Sequence, residues 1–224
     1  MQKKFSIAID GPAGAGKSTV AKALARELGA MYLDTGAMYR AFGLAMLRAG
    51  VDVNSMSAVA ARADDVDITV EYVDGVQHIY LAGEDVTTAI REPAVSGAAS
   101  SVSAVPEVRA RMVALQRRIA EGHSVVMDGR DIGTAVLPNA TLKVYLTASA
   151  KERARRRCNE LAEKGTPQPY EQVLEEIIER DWRDTHRAAS PLRPAEDARP
   201  LDTSHMNQDE VVAALRRMAQ EACR

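Results

Sequence analysis

Cysteine is nearly absent from this 224-residue chain. Its two cysteines, Cys158 and Cys223, fall in segments of helical pattern, with no CxxC and no Cys/His ligand spacing. A zinc ribbon is thereby excluded, no disulfide framework is expected, and a reducing compartment fits. Charge of one sign is missing as well: 29 basic residues face 31 acidic ones, for a net charge of −2. A protein that coats nucleic acid leaves a basic footprint, so no nucleic-acid partner is expected. Long hydrophobic runs are also lacking. After Lys3 and Lys4 the apolar stretch spans only Phe5 to Ile9, too short for a signal peptide, and no run approaches a membrane span. The expectation is a cytoplasmic, soluble protein without a membrane partner. With 9 prolines, 46% hydrophobic and 27% charged residues, the composition is that of a folded globular protein. The length suits one domain, or a core with a small insertion.

What is plentiful is arginine. The chain has 22 arginines and 7 lysines, and 17 of the arginines lie from Arg109 onward. Codon bias produces such skews; so does a set of guanidinium forks aimed at planar anions such as phosphate. Position decides between the two.

The apolar run Phe5–Ile9 ends at Asp10-Gly11-Pro12, and from Gly16 the residues Val20, Leu24 and Leu28 recur every four until Gly29. This predicts strand, loop and helix. Residues 30–33 predict a second strand, followed by a helix closing near Gly50, so the opening is βαβα and the fold class α/β. From Asp67 the period changes to two, and Asp74-Gly75 separates two alternating runs. That predicts an antiparallel hairpin, with a turn at Gly83-Glu84 leading to a third short strand at Val86-Thr87-Thr88. The small sheet, at about 66–92, reads as an insertion. A small-residue stretch, Ala94 to Ala104, precedes a helix starting at Pro106 and running to Gly122. Strands are predicted at 123–128, 142–146 and near 199–201. Helices are predicted from Ser149, from Tyr170 to about Ala189, and from near Asn207. No internal repeat or low-complexity linker interrupts the pattern.

Gly11-Pro12-Ala13-Gly14-Ala15-Gly16-Lys17-Ser18 fits G-x-x-x-x-G-K-[ST] and lies between a strand end and a helix start. The glycines bring backbone N–H groups to phosphate oxygens and Lys17 reaches the outer phosphates. The Ser18 hydroxyl is suited to magnesium. A nucleoside triphosphate with Mg²⁺ is therefore the expected ligand. An NKxD guanine-reading motif is absent: the asparagines at 54, 139, 159 and 207 are followed by Ser, Ala, Glu and Gln. A regulatory GTPase is disfavoured. Strand Val125–Asp128 runs instead into Gly129-Arg130-Asp131, and an arginine there suggests a second phosphate to be held.

Asp34-Thr-Gly-Ala-Met-Tyr-Arg40, Asp128-Gly-Arg-Asp-Ile-Gly-Thr134 and Glu179-Arg-Asp-Trp-Arg-Asp-Thr-His-Arg187, with the P-loop and the inserted sheet, resemble the bacterial cytidylate kinases over nearly the whole chain. The resemblance implies transfer of the γ-phosphoryl group of ATP to CMP or dCMP. The implied fold is a five-stranded parallel sheet of P-loop NTPase type flanked by helices, with an NMP-binding part and a helical lid. On that pattern the core comprises residues 1–34, 107–149 and 171–224, the NMP-binding part 35–106 and the lid 150–170. Residues 11–18 and Thr19 would hold ATP. Arg40, Arg130, Arg180 and Arg187 would grip the monophosphate, with Lys17, Arg130, Arg180 and Arg187 as the catalytic charges.

The same pattern assigns Asp131, Arg109 and Ser100 to the cytosine base, and Asp184 to the sugar. Thr35 stands where serine is common in the family, which keeps the hydroxyl but adds a methyl group. The residues alone allow plainer readings. Arg180 and Arg187, seven apart, also suit a solvated helix face. Asp131 and Arg109 could be surface residues, and Asp184 an i,i+4 partner of Arg180. Among Arg153, Arg155, Arg156 and Arg157, which precede Gly165, Arg153 and Arg157 share a face and are expected to reach the ATP phosphates. A nucleic-acid patch is the rival, weakened by the net charge. A monomer is expected.

Overall fold

The structure, a computed structural model, describes residues 4–163 and 165–223. Lys3 lies outside the described residues. Along the chain run β1 (Ser6–Asp10), α1 (Lys17–Leu28), β2 (Met31–Asp34), α2 (Thr35–Arg48), α3 (Met56–Ala60), β3 (Ile68–Val73), β4 (Val76–Leu81) and β5 (Glu84–Asp85). Then follow α4 (Pro93–Val102), α5 (Pro106–Ala120), β6 (Val125–Gly129), β7 (Leu142–Thr147), α6 (Ala150–Glu163), α7 (Tyr170–His186), β8 (Arg199–Asp202) and α8 (Gln208–Ala222). Contacts divide the chain into two compact units, one of Met1–Ala30 with Ser124–Arg224, the other of Met31–His123.

The larger sheet has the strand order β2-β6-β1-β7-β8. β1 is parallel to β6, with Ser6 opposite Val125 and Asp10 opposite Gly129, and parallel to β7, which in turn is parallel to β8. Strands covered on both faces need apolar side chains throughout, and Ile7, Ala8, Ile9, Val125, Val126 and Met127 are all buried. Ligands of such sheets bind beyond the carboxyl ends of the strands. The register of β1 with β6 sets the start of the P-loop, Gly11, beside the Gly129-Arg130 step. Pro200 is tolerated because β8 is an edge strand. α8 is launched by a capping box, in which Asn207 accepts from the Glu210 N–H and the Glu210 carboxylate accepts from the Asn207 N–H.

The smaller sheet, β3-β4-β5, is antiparallel, and its hairpin turns at Asp74-Gly75 as its alternation predicts. The third strand differs from expectation: it is Glu84–Asp85, opposite Leu81 and Tyr80, because the chain reverses tightly at Ala82-Gly83, both of positive φ. Two helices had no periodic signal. α3 is a single short turn on a Ser55 cap. α4 occupies the small-residue stretch, where nearly every position is Ala, Gly, Ser or Val and no polar face stands out. Its composition is explained by proximity: a Cβ on Gly43 of α2 would lie 3.0 Å from the Ala99 nitrogen and 3.1 Å from the Ala98 Cβ. Small residues let the two helix backbones approach. α7 ends at His186, short of Ala189, with Arg187 as its extended cap residue.

Gly43→Val should therefore destabilise the protein by about 2–3 kcal/mol through overpacking at the α2–α4 contact. Urea unfolding with unchanged slope and a lowered midpoint is the expected result; an unaltered midpoint would show that the helices can part freely.

Candidate active site

The P-loop is shaped by backbone constraints. Gly14 and Gly16 adopt positive φ, and at Gly11 a Cβ would run into the carbonyl oxygen of Leu146. Lys17, the first residue of α1, is buried and donates to the carbonyl of Pro12 at 2.7 Å. Burial, followed by the nearby charge of Arg130, pulls its pKa well below the usual lysine value, with Arg180 acting in the same sense. Asp128 and Asp10 oppose that shift. The Ser18 hydroxyl donates to the Asp128 carboxylate at 2.8 Å.

Among the described residues no group of three or more His, Cys, Asp or Glu side chains is placed to cage a metal. A hydroxyl and one carboxylate, both hard oxygen donors, fit a cation that keeps water and phosphate oxygens as its other ligands, as Mg²⁺ does.

Around this loop the first unit builds a charged network. Asp10, closing β1, accepts from the N–H groups of Ile132 and Gly133, each at 2.7 Å, and so ties the P-loop's own strand to the segment after Arg130 and Asp131. Its burial drives the carboxyl up to about 6 in spite of these bonds. Arg130 donates to Asp184 at 2.8 Å. Burial alone would raise the Asp184 carboxyl, but Arg130, Arg180 and Arg187 outweigh it and the group ends below the usual range. Asp184 thus pairs with Arg130 across elements, while Arg180, the partner that helical spacing offers, also acts on its charge. Arg187 stands 3.8 Å from Asp131, both side chains under a tenth exposed, and its Nε donates to the carbonyl of Ser190.

The four arginines of α6 are arranged differently from one another. Arg153 is buried, donating to the carbonyls of Ala148 and Ala13 and to both oxygens of Asp181. Arg157 is half-buried and pairs with Glu160. Arg155 and Arg156 share Glu152, and Arg156 also reaches Thr203.

The second unit holds its own set. Asp34 caps α2 by accepting from the Ala37 N–H, and its other oxygen accepts from Arg40 at 2.8 Å, with Arg91 at 3.6 Å. Thr35 is buried beside it. Gly36 has to be small here, since a Cβ would lie 3.2 Å from the Asp34 carboxylate and 3.3 Å from the Arg40 guanidinium. Arg109 is buried in α5, donates to the Ser103 carbonyl and lies over the Tyr39 ring at 5.6 Å. Ser100 is half-buried on α4. Neither Arg109 nor Asp131 is a surface residue.

The family model for cytidylate kinase matches residues 7–221. The chain belongs to the cytidylate kinase family. It is 51% identical over 210 residues to the cytidylate kinase of Caldicellulosiruptor saccharolyticus, covering 94% of this chain and 93% of that one. It is 50% identical over 222 residues to that of Mycobacterium avium, covering 99% and 97%. A solved structure of an uncharacterized protein from Eubacterium ventriosum, 13% identical, shares the fold with a TM-score of 0.52 over 95% of this chain and 96% of the other.

Within this cytidylate kinase fold, Asp10, Asp34 and Asp128 join the candidate site through contacts that the motifs alone do not assign. A signal was available: each is an acid at the end of an apolar strand, the position that faces a ligand in a parallel sheet.

Asp10 makes a pH prediction with a definite sign. Its folded pKa lies above its value in the unfolded chain, so its protonated form stabilises the fold, and that contribution is lost as pH rises from 4 through about 6. The unfolding free energy of wild type relative to Asp10→Asn should fall across this window by up to about 3 kcal/mol. Parallel curves would mean that the two N–H bonds cancel the effect of burial.

Proposed function

We infer that this chain transfers the γ-phosphoryl group of ATP to CMP or dCMP, giving CDP or dCDP and ADP, with Mg²⁺ bound alongside ATP. The observation that carries the reading is the crowding of cations at the P-loop lysine. Arg130 and Arg180 lie close enough to Lys17 to depress its pKa, and Arg187 acts with them on Asp184. An NTPase that activates water needs charge for one polyphosphate; this unit carries charge for a second anion beside it.

The acceptor phosphate already presents an anionic oxygen, so no general base is needed and catalysis reduces to positioning and charge neutralisation. Residues Gly11 to Thr19 hold ATP, and Lys17 follows the charge that develops on the transferred group. The metal, held from Ser18 and Asp128, would supply further neutralisation of the phosphate oxygens. Arg130, Arg180 and Arg187, with Arg40, receive the acceptor phosphate. Asp184 takes the sugar, and Asp131, Arg109 and Ser100 the base. Arg153 serves ATP binding through the P-loop carbonyl of Ala13, which leaves Arg157 to reach the phosphates directly. Residues 35–106 act as the NMP-binding part and 150–170 as the lid. Among the described residues no helix is long and apolar enough to cross a membrane, and the net charge of −2 supports a protein without a nucleic-acid partner. We take it to act in the cytoplasm as a monomer.

Coupled phosphoryl transfer from Mg·ATP to CMP, dCMP, UMP, AMP and GMP tests the reading, with CMP and dCMP expected to lead. Lys17→Ala should lower kcat by about 10²-fold or more while leaving the fold intact. Asp131→Ala should lower kcat/KM for CMP and compress the CMP-to-UMP ratio by about 10-fold, since a carboxylate accepts from the cytosine amine and repels the uracil carbonyl. An unchanged ratio would move base recognition elsewhere.

A further inference from the structure

The inserted antiparallel sheet is larger than a connection requires, and one of its faces changes character along its length. On the hairpin, Ile68, Val70 and Tyr72 of β3 share a face with Leu81, Ile79 and Gln77 of β4, since Ile68 pairs with Leu81, Val70 with Ile79 and Tyr72 with Gln77. The end at Ile68 and Leu81 is buried and apolar, as a packed face should be. The end at Tyr72 and Gln77 is half-buried and polar.

Both polar side chains are spent on the same short piece of main chain. The Tyr72 hydroxyl donates to the carbonyl of Tyr32 at 2.9 Å. The Gln77 side-chain carbonyl accepts from the Asp34 N–H at 2.7 Å, and its amide donates to the Asp34 carbonyl at 3.2 Å. One side chain thus supplies Asp34 with a donor and an acceptor together, as a neighbouring strand would. Burial holds the Tyr72 phenol well above its ordinary pKa, so it remains a donor at any working pH. Asp34 is the residue whose carboxylate both caps α2 and pairs with Arg40. The third strand takes the other end of the same helix, where Glu84 receives both terminal nitrogens of Arg48.

We propose that the inserted sheet is a positioning device for the acceptor nucleotide: the cross-strand pair Tyr72 and Gln77 grips the main chain of Tyr32 and Asp34 and so fixes the Asp34–Arg40 pair that receives the acceptor phosphate. The proposal rests on the reading of Arg40 as a ligand of that phosphate. Tyr72 and Gln77 are positioning residues: they act through main chain and through Asp34. An arginine fork gives affinity only when held at the correct angle, and the grip removes freedom from the residue that holds it.

Gln77→Leu keeps the size of the side chain and removes both hydrogen bonds; Tyr72→Phe removes a single oxygen and guards against a general loss of folding. Full-length variants are compared with wild type by CMP binding without ATP, by KM for CMP and for ATP, and by kcat. The expected result is a rise of about 5–10-fold in Kd and KM for CMP in Gln77→Leu, a smaller rise in Tyr72→Phe, and KM for ATP within twofold of wild type. Unchanged CMP affinity in both variants, or an equal rise in both substrates' KM, overturns the proposal. Should wild type prefer another monophosphate, the substrate reading falls while the split between acceptor and ATP still decides the role of the grip.

Discussion

Phosphate binding calls for positive charge, and positive charge gathered in a half-buried place repels itself. In the nucleotide-binding unit this conflict is felt at Lys17, whose pKa burial and Arg130 both lower. Four of the cations there have a carboxylate set against them: Asp184 on Arg130, Asp131 beside Arg187, Asp181 on Arg153, and the charges of Asp128 and Asp10 on Lys17. Breaking one member of such a buried pair leaves the other uncompensated, so losing Asp184, Asp131 or Asp181 would weaken the fold as well as the site. The balance is uneven by design of position. Asp10 lies where burial dominates and its pKa rises, whereas Asp184 lies where three arginines dominate and its pKa falls.

The helix α7 shows how apolar packing and charge share one stripe. Val173 and Ile177 are buried with Ala154 and Leu161, and the same heptad-like spacing continues to Arg180, Asp184 and Arg187. Its first half anchors the helix to α6 through apolar contact; its second half aims charge. The opposite face carries Ile178 and Trp182, 53% and 62% exposed, so the buried charges are not a consequence of a uniformly polar helix. Arg180 and Asp184 continue the packed stripe of the helix and Arg187 follows as its cap residue, while Arg183 lies half-exposed, 3.6 Å from Glu179 one turn away.

What the sequence made legible follows from where the signal is local. The P-loop, the alternating hairpin and the continuous apolar strands are each written within a few consecutive residues, and all are found. α4 was silent because its small residues answer to Gly43, some fifty positions away, rather than to a polar and apolar face of their own. Asp184 paired with Arg130, 54 residues distant, where only its helical neighbour could be seen in advance. Arg153 and Arg157 share a helix face, yet Arg153 is drawn inward by Asp181 of α7 and by the P-loop carbonyl of Ala13, partners that spacing along α6 does not reveal.

The family resemblance assigns residue roles that local chemistry does not, and the structure shows how those side chains are held. Arg40 meets Asp34, which is fixed at its side chain by the Ala37 N–H and at its main chain by Gln77. Arg130 meets Asp184, whose backbone carbonyl in turn accepts from Leu192 and pins the chain after α7. In both units an arginine expected to receive phosphate is oriented by an aspartate that is itself held by backbone. A guanidinium on a long flexible stem loses much rotamer freedom when it binds an anion. Pairing it beforehand with a rigid carboxylate places that loss in folding, so that phosphate binding need only redirect a fork already in register.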